Sequence, residues 1–296
     1  MSPHTTPPGF GGLPAEFRDP RTARIAVLPV PYDLTSSWKK GADKGPQALI
    51  DASASMELYD IPTRSEVYRK GIITLDPIVE NGPPEIMTDR VDEACTAILE
   101  GGKFPVVLGG EHSVSIGAIR AAARRHKNLT VLQIDAHGDT RESYDGSPFN
   151  HACVMARARE WCSITQVGIR AIDIEEVAGM KEDRVFFGHE IEEHAARCDD
   201  SWMDRVISTL DENVYITIDL DAFDPSLLPA TGTPEPGGLR WREVNELLRR
   251  VCNQRNVVGF DVVELLPTEG HWASEFVAAK LVYRLLSMIF SNRQGT

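Results

Sequence analysis

The sequence of 296 residues lacks three features: an excess of basic charge, a paired-cysteine motif and a long apolar run. Its formal net charge of -13 argues against nucleic acid or an anionic membrane as the main partner, because both require a basic face. No apolar run approaches the roughly 18 residues that a membrane span needs. An acidic protein of this kind is better suited to a small cationic substrate.

The five cysteines are an odd number and contain no Cys-x-x-Cys pair, so they predict neither a disulfide framework nor a thiolate zinc site. The N-terminal sequence MSPHTTPPGFGGLPAEF also lacks the basic start and apolar core of a signal peptide. We therefore expect a cytoplasmic protein.

Apolar β-like runs alternate with amphipathic helical patterns, which predicts an α/β fold with a mainly parallel sheet and helices on both faces. The strand candidates are RIAVLPV, GIITL, FPVVL, LTVLQID, SITQVGI, DRVFFG, NVYITID and NVVGFDVV. With 42% hydrophobic residues, one large domain is favoured over two. We predict a Pro- and Gly-rich N-terminal arm outside the core over residues 1–23, and a single domain over residues 24–296.

Side chains suited to metal binding follow four of these apolar runs. In LTVLQIDAHGDT three of them occupy alternate positions, and alternate side chains of an extended backbone point the same way. Open parallel sheets bind ligands beyond the carboxyl ends of their strands, so we expect all these side chains at one edge. They are His112, Asp135, His137, Asp139, Asp219, Asp221 and Glu264. The pattern predicts one metal-centred active site.

The blocks GGEHS, DAHGDT and ITIDLDAFDPSLLPATGTPEPGGL resemble the three signature blocks of the ureohydrolase superfamily, the arginase and agmatinase family, in their usual order. The resemblance runs from about Arg24 to the C-terminus. It implies an arginase-like three-layer α/β/α sandwich with a mainly parallel eight-stranded sheet, which agrees with the strand candidates. It also implies a hydrolase of the C-N bonds of linear amidines, assembled as a homotrimer or homohexamer.

The resemblance further implies two Mn²⁺ ions per subunit. His112 and Asp139 would complete one site, and His137 and Asp221 would complete the other. The ligands Asp135 and Asp219 would bridge the two ions. This oxygen-rich set suits Mn²⁺, although ligand type alone does not exclude Zn, Ni or Co. Four aspartates and two divalent ions would leave the cluster near neutral.

By the same resemblance, Glu264 holds a guanidinium group and His151 is the active-site histidine. A carboxylate can accept two parallel hydrogen bonds from a guanidinium, and an imidazole can move protons near neutral pH. Asp139 could also relay the proton, and a buried structural role stays open for His151. Asp261, on the strand that carries Glu264, either supports the metal ligands or is an ordinary buried acid. A water shared by two cations is acidified from a pKa of about 15.7 towards neutrality, and would attack the guanidinium carbon.

Specificity is expected in the loop TRESYDGSPFN, which leads to His151. Arg141 stands where arginases carry Asn, so arginine recognition is not expected. Glu142 and Asp145 could pair with a distal ammonium, and ordinary surface charge is the alternative for both. We predict hydrolysis of agmatine to putrescine and urea in polyamine biosynthesis. Aminopropyl-agmatine, guanidinobutyrate and arginine stay open as substrates, and a guanidine-binding pseudoenzyme and a dinuclear phosphoesterase stay open as other functions.

Overall fold

The fold is described by a computed structural model that covers residues 9–291. Eight strands in this range form one sheet with the order β2-β1-β3-β8-β7-β4-β5-β6, and every neighbouring pair is parallel. They are β1 Ile25–Val30, β2 Ile72–Thr74, β3 Phe104–Gly109, β4 Leu129–Ile134, β5 Ser163–Ile169, β6 Val185–Phe187, β7 Asn213–Asp219 and β8 Asn256–Val263. The predicted parallel eight-stranded sheet is confirmed.

Helices cover both faces of this sheet. Within the described range they are α1 Gly45–Ser53, α2 Pro84–Glu100, α3 Ser115–Arg125, α4 Val154–Ala158, α5 Ile174–Val177, α6 Gly188–Ala196, α7 Ser201–Ser208, α8 Trp241–Gln254 and α9 Ala273–Ser291. Apolar side chains of α1, α6, α7, α8 and α9 form one core with the sheet, and those of α2, α3 and α4 form a second core on its other face. The predicted three-layer sandwich is therefore confirmed. None of the helices in residues 9–291 is long and apolar enough to cross a bilayer.

The strands are apolar on both faces because helices cover both. In β1, Val27 packs into one core and its neighbour Leu28 into the other, and each is at most 2% exposed. Every residue of β1, β3 and β4 is buried. A parallel sheet buried on both sides reads as continuous apolar runs, which is why these strands were visible in the sequence.

The N-terminal segment differs from its prediction. Phe10 and Leu13 are 1% and 2% exposed and lie in the same core as α1 and α9. The backbone N–H of Phe10 donates to the Thr74 hydroxyl at 2.8 Å, which fastens the segment beside β2. The expectation that residues 1–23 stay outside the core is wrong for Phe10, Leu13 and Ala23, and residues 1–8 lie outside the described range. Pro and Gly oppose regular helices and strands, but they do not prevent single apolar side chains from packing. The boundary at residue 24 stays a prediction.

Helices α2 and α3 pack closely at Gly117, in the interior of α3. A Cβ added there would lie against the carbonyl oxygen of Thr88 and 2.9 Å from the backbone nitrogen of Asp92, both in α2. Backbone atoms cannot move aside as a flexible side chain can. Glycine is therefore required at this position although alanine is the better helix former by about 1 kcal/mol.

Gly117→Ala is expected to lower the free energy of unfolding by about 1–3 kcal/mol, because overpacking forces the two helices apart. Urea denaturation followed by circular dichroism measures the change. Gly179→Ala is the control, since its added Cβ would make only ordinary contacts, with the Arg159 guanidinium at 3.4 Å and the Glu176 carbonyl oxygen at 3.8 Å. Equal stability of the two variants would contradict the proposed close packing.

Candidate metal centre and substrate pocket

The predicted site residues follow the carboxyl ends of four strands that are adjacent in the centre of the sheet. These strands stand in the order β3-β8-β7-β4. Their loops supply, in the same order, His112; Glu264; Asp219 and Asp221; and Asp135, His137 and Asp139. Since all strands are parallel, these ends meet at one edge of the sheet. The topology thus brings all seven side chains to one place.

Three carboxylates among the ligand candidates surround one nitrogen of His112. Its Nδ1 lies 3.2 Å from Asp135 Oδ2, 3.0 Å from Asp139 Oδ2 and 3.4 Å from Asp219 Oδ2. Nδ1 is buried, yet none of these approaches has the geometry of a hydrogen bond. A nitrogen lone pair that converges with three carboxylate oxygens is an arrangement that fits a shared cation.

A second group forms around His137. Its Nδ1 lies 2.9 Å from Asp221 Oδ2 and 3.7 Å from Asp135 Oδ1. Asp135 therefore faces both groups, with Oδ2 towards His112 and Oδ1 towards His137. This is the placement expected for a carboxylate that bridges two ions. The residues present fit a dinuclear centre.

The electrostatics of these groups also fit a cation. Burial and the nearby carboxylates of Asp221 and Asp135 raise the pKa of Asp219 well above its usual value. Burial raises the pKa of Asp139 to about 6, although the neighbouring histidines oppose the change. Burial alone would lower the pKa of His112, but the surrounding carboxylates raise it well above the ordinary range. Crowded buried acids are costly unless a positive charge compensates them, and divalent cations would do so.

Alternation along a strand explains only part of this geometry. Strand β4 ends at Ile134, and the predicted extended pattern does not continue through Asp139, which has a left-handed backbone with φ of 52°. Its carbonyl oxygen accepts a hydrogen bond from the N–H of Met155 at 2.9 Å, at the start of α4. Asp tolerates this backbone conformation better than most residues. The orientation of Asp139 is thus set by a turn and by α4 rather than by the strand.

A chain of buried amides supports Asp135. Gln133 Nε2 donates to Asp135 Oδ2 at 2.7 Å, and Gln166 Nε2 donates to Gln133 Oε1 at 2.6 Å. Gln166 also donates to the carbonyl oxygen of Gly138 at 2.7 Å. The amides fix the carboxylate and the ligand loop together. Neither glutamine was predicted from the sequence, although Gln133 lies two positions before Asp135 and its side chain therefore points the same way.

Glu264 is the seventh residue of the cluster. It directly follows β8, which lies between the strand that precedes His112 and the strand that ends at Asp219. Its backbone is left-handed, with φ of 64°, and its Oε1 accepts the backbone N–H of His112 at 2.8 Å. Burial and the nearby Glu111 raise its pKa well above the usual value. The side chain also lines the cavity above the metal residues, so a cationic group placed there would stabilise its carboxylate form.

His151 lies across the cavity in a half-buried position. Its backbone N–H donates to Thr35 Oγ1 at 3.0 Å, and its Nδ1 lies 3.2 Å from the same oxygen. Burial, together with the positive charge of His112, lowers the pKa of His151 to about 4. The imidazole is therefore neutral near pH 7 and can accept a proton.

The cavity has a volume of about 270 Å³. Beyond the metal residues its wall includes Asp173, the N-cap of α5, and Glu176 within α5, and neither was among the predicted site residues. Arg141 lines the same wall, with Nη2 3.3 Å from Asp173 Oδ2 and Nε 3.5 Å from Glu176 Oε2, and its guanidinium lies 4.6 Å from the ring centroid of Tyr144. Asp173 follows the strand candidate SITQVGI by four positions, but Glu176 follows no apolar run directly, so the sequence signal for this wall was weak.

Two predicted substrate residues lie elsewhere. Glu142 is exposed and binds Arg157 Nη2 at 2.6 Å and also Arg159, so its charge is already paired. Neither Glu142 nor Asp145 lines the cavity. The ion pairs favour the alternative interpretation, surface charge, for Glu142, and the role of Asp145 stays a prediction. Arg141 and His151 do line the cavity, as expected.

The comparisons with known proteins cover nearly the whole chain. Residues 23–287 match the model of the arginase family. The N(1)-aminopropylagmatine ureohydrolase of a Synechocystis species is 40% identical over 275 residues, which is 89% of this chain and 88% of that protein. The agmatinase of Pyrococcus horikoshii is 32% identical, over 91% of this chain and 93% of that protein. The crystal structure of the agmatine ureohydrolase of Thermoplasma volcanium superposes with a TM-score of 0.84 at 32% identity, over 93% of this chain and 92% of that one.

Asp219→Asn is expected to abolish metal-dependent stabilisation. Saturating Mn²⁺ at 100 times its dissociation constant would stabilise the normal protein by about 2.7 kcal/mol, and the variant would lose that gain. The metal-free variant should unfold no earlier than the metal-free normal protein, because one crowded buried acid has been removed. Thermal unfolding against MnCl₂ concentration and metal analysis measure both effects.

Asp145→Asn is the control for this experiment, since Asp145 lies outside the cavity and Asn tolerates its left-handed backbone. The control should retain the full metal-induced shift. A normal metal content in Asp219→Asn would remove Asp219 from the ligand set.

Proposed function

The chain belongs to the arginase family, and from this we propose that it hydrolyses an agmatine-type guanidine to urea and an amine. Its relatives place it among the hydrolases that act on the C-N bonds of linear amidines. The observation that carries the proposal is a cavity whose floor is formed by the metal cluster and Glu264, and whose wall carries further acids. Such a cavity can hold a guanidinium at its floor and a cationic tail at its wall.

Two substrates stand within this proposal. Agmatine is the substrate predicted from the sequence, and two of the relatives are named for it or for its hydrolysis. N(1)-aminopropylagmatine is favoured by a specific observation, since the relative of that name reaches 40% identity and the named agmatinase 32%. Both substrates carry the same guanidine and differ in the length and charge of the tail, so the reacting centre is the same.

The acidic wall supports a cationic tail. The Arg141 guanidinium lies against Asp173 and Glu176, which supports the proposal that these carboxylates attract positive charge. Glu176 Oε1 accepts the N–H and hydroxyl of Thr140, and Asp173 Oδ1 accepts the N–H of Glu175. These bonds hold the two carboxylates in place. An ammonium group that displaces Arg141, or binds beside it, would meet carboxylates that are held in place.

We assign the metal residues to two Mn²⁺ ions per subunit, held by His112, Asp135, His137, Asp139, Asp219 and Asp221. When bound, the ions would supply an acidified water as the nucleophile. Glu264 would orient the guanidinium, because a carboxylate accepts the N–H groups of that planar fork. Addition of water to the guanidinium carbon and cleavage of its bond to the tail nitrogen give urea and the free amine.

The leaving nitrogen has to gain a proton before it departs as an amine. His151 lines the cavity as a neutral imidazole, so it can take a proton and return it to that nitrogen. Asp139 also lines the cavity and could share this transfer. Both groups lie in the connection between β4 and α4, Asp139 near its start and His151 near its end.

Assembly and location are part of the same proposal. We infer a homotrimer or homohexamer, supported by large apolar side chains at the surface, such as Trp38, Ile174 and Trp272, which are 66%, 81% and 76% exposed. The five cysteines are free in the described residues, which supports a reducing compartment such as the cytoplasm.

Glu264→Gln is expected to reduce kcat/KM for the guanidine substrate by about 10²–10³-fold, since it removes one partner of a buried charged pair. Urea release at saturating Mn²⁺ measures the change. Glu142→Gln is the control, because its carboxylate binds surface arginines outside the cavity. A Glu264→Gln enzyme with unchanged kcat/KM would leave guanidinium binding to other groups.

A substrate panel tests the proposed function itself. Urea release from agmatine, N(1)-aminopropylagmatine, guanidinobutyrate and arginine would be measured with Mn²⁺-loaded protein, and Asp219→Asn would serve as the inactive control. Agmatine and its aminopropyl derivative should exceed arginine by about 10²-fold or more in kcat/KM, because a site built for one set of polar groups leaves others unpaired. A preference for arginine would overturn the proposal.

A further inference from the structure

The His112 imidazole has a second polar contact on the side that faces away from the other metal residues. Its Nε2 lies 2.9 Å from Thr217 Oγ1, and Thr217 Oγ1 donates to Asp261 Oδ1 at 2.6 Å. All three side chains are at most 1% exposed. Thr217 in β7 and Asp261 in β8 are direct register partners, so the sheet itself holds them together.

The direction of these hydrogen bonds follows from the chemistry of the groups. A carboxylate accepts only, so the Thr217 hydroxyl spends its single proton on Asp261. The Thr217 oxygen is then left as an acceptor, and the group that can donate to it is the Nε2–H of His112. The other nitrogen, Nδ1, keeps its lone pair and faces Asp135, Asp139 and Asp219.

We propose that Asp261 and Thr217 are positioning residues that hold His112 with its proton on Nε2 and its Nδ1 lone pair directed at the metal centre. This inference rests on the proposed metal site. A carboxylate that accepts a hydrogen bond directly from a metal-binding histidine fixes its tautomer and ring orientation and makes the metal-binding nitrogen more basic. Asp261 would have the same effect on His112 through the Thr217 hydroxyl.

The polar side chains around the Asp261 carboxylate, apart from His112, are uncharged hydroxyls. No ion pair joins Asp261 to a basic side chain in the described residues, and the hydroxyls of Tyr215 and Ser115 are the other polar groups beside it. A buried acid without a cation is destabilising by itself. Behind a metal-binding histidine the carboxylate has a function, because its negative charge stabilises the partly positive imidazole of a histidine that is bound to a cation.

The chain also offers a matched control. Thr130, at the amino end of β4, is fully buried and its hydroxyl donates to Asp211 Oδ2 at 2.7 Å. This is the same Thr to Asp bond on another central strand, five positions before the first metal residue of that loop. Thr130→Val therefore removes the same chemical group from the opposite end of the sheet.

The experiment measures Mn²⁺ affinity of metal-free protein by calorimetry, without substrate. Thr217→Val should weaken binding by about 10–100-fold, the usual effect of losing a partner of a metal-binding histidine. Thr217→Ser, which keeps the hydroxyl, should bind nearly as the normal protein does. Thr130→Val should bind normally even if it lowers stability. Circular dichroism establishes that each variant is folded.

Asp261→Asn is the second variant, in case Thr217→Val does not fold. Its amide oxygen can still accept from Thr217 but carries no charge, so Mn²⁺ affinity should fall by less than in Thr217→Val. Zn²⁺-loaded protein labelled with ¹⁵N-histidine reports the tautomer directly, and His112 should carry its proton on Nε2 in the normal protein.

Normal Mn²⁺ affinity in both Thr217→Val and Asp261→Asn, or a proton on Nδ1 of His112, would overturn the inference. So would a loss of affinity in Thr130→Val equal to that in Thr217→Val. Failure of the proposed reaction would appear differently, as the absence of urea release from a protein whose Mn²⁺ binding is intact. A normal protein that binds no divalent cation would overturn both.

Discussion

Buried negative charge is the constraint on which the catalytic edge of this sheet depends. Four aspartates and Glu264 share a small volume, and three of the aspartates are at most 3% exposed. The protein fixes them with backbone donors: the N–H of His137 binds Asp135 at 2.6 Å, and that of Asp221 binds Asp219 at 2.9 Å. Such bonds orient the oxygens but do not neutralise the charge. Divalent cations would neutralise it, and the fold holds in place the side chains that could bind them.

The order of the strands makes this concentration of charge possible. Strand β8 is last in the chain but lies between β3 and β7, so Glu264 arrives between His112 and Asp219. The same insertion pairs Thr217 with Asp261 in the register of β7 and β8. A sheet with β8 at its edge would leave Glu264 far from the metal residues. The topology therefore determines which side chains lie close together, and the loops determine only how these side chains are oriented.

Much of the fold and the metal cluster could be predicted because both depend on local patterns. Strands buried on two faces are continuous apolar runs, and the ligands follow these runs directly. The acid wall was not predicted, since Asp173 caps and Glu176 lies within a helix of only four residues, which is too short to show a helical pattern. Glu142 was assigned to the substrate for its charge alone, and the sequence does not reveal that Arg157 and Arg159 already pair with it. Long-range packing also explains Phe10, whose burial depends on helices far along the chain.

Substrate choice and chemistry are separated in this cavity. Guanidines that differ only in the tail present the same carbon to the metal centre, so neither the cluster nor Glu264 can distinguish them. Under the proposed function, discrimination would arise at the wall where Arg141 already pairs with Asp173 and Glu176. A tail ammonium must either displace that guanidinium or reach an acceptor beyond it. A short tail with one charge would have to displace the Arg141 guanidinium to reach an acceptor. A longer tail with two charges has a second point of contact, so the wall would favour the extended substrate.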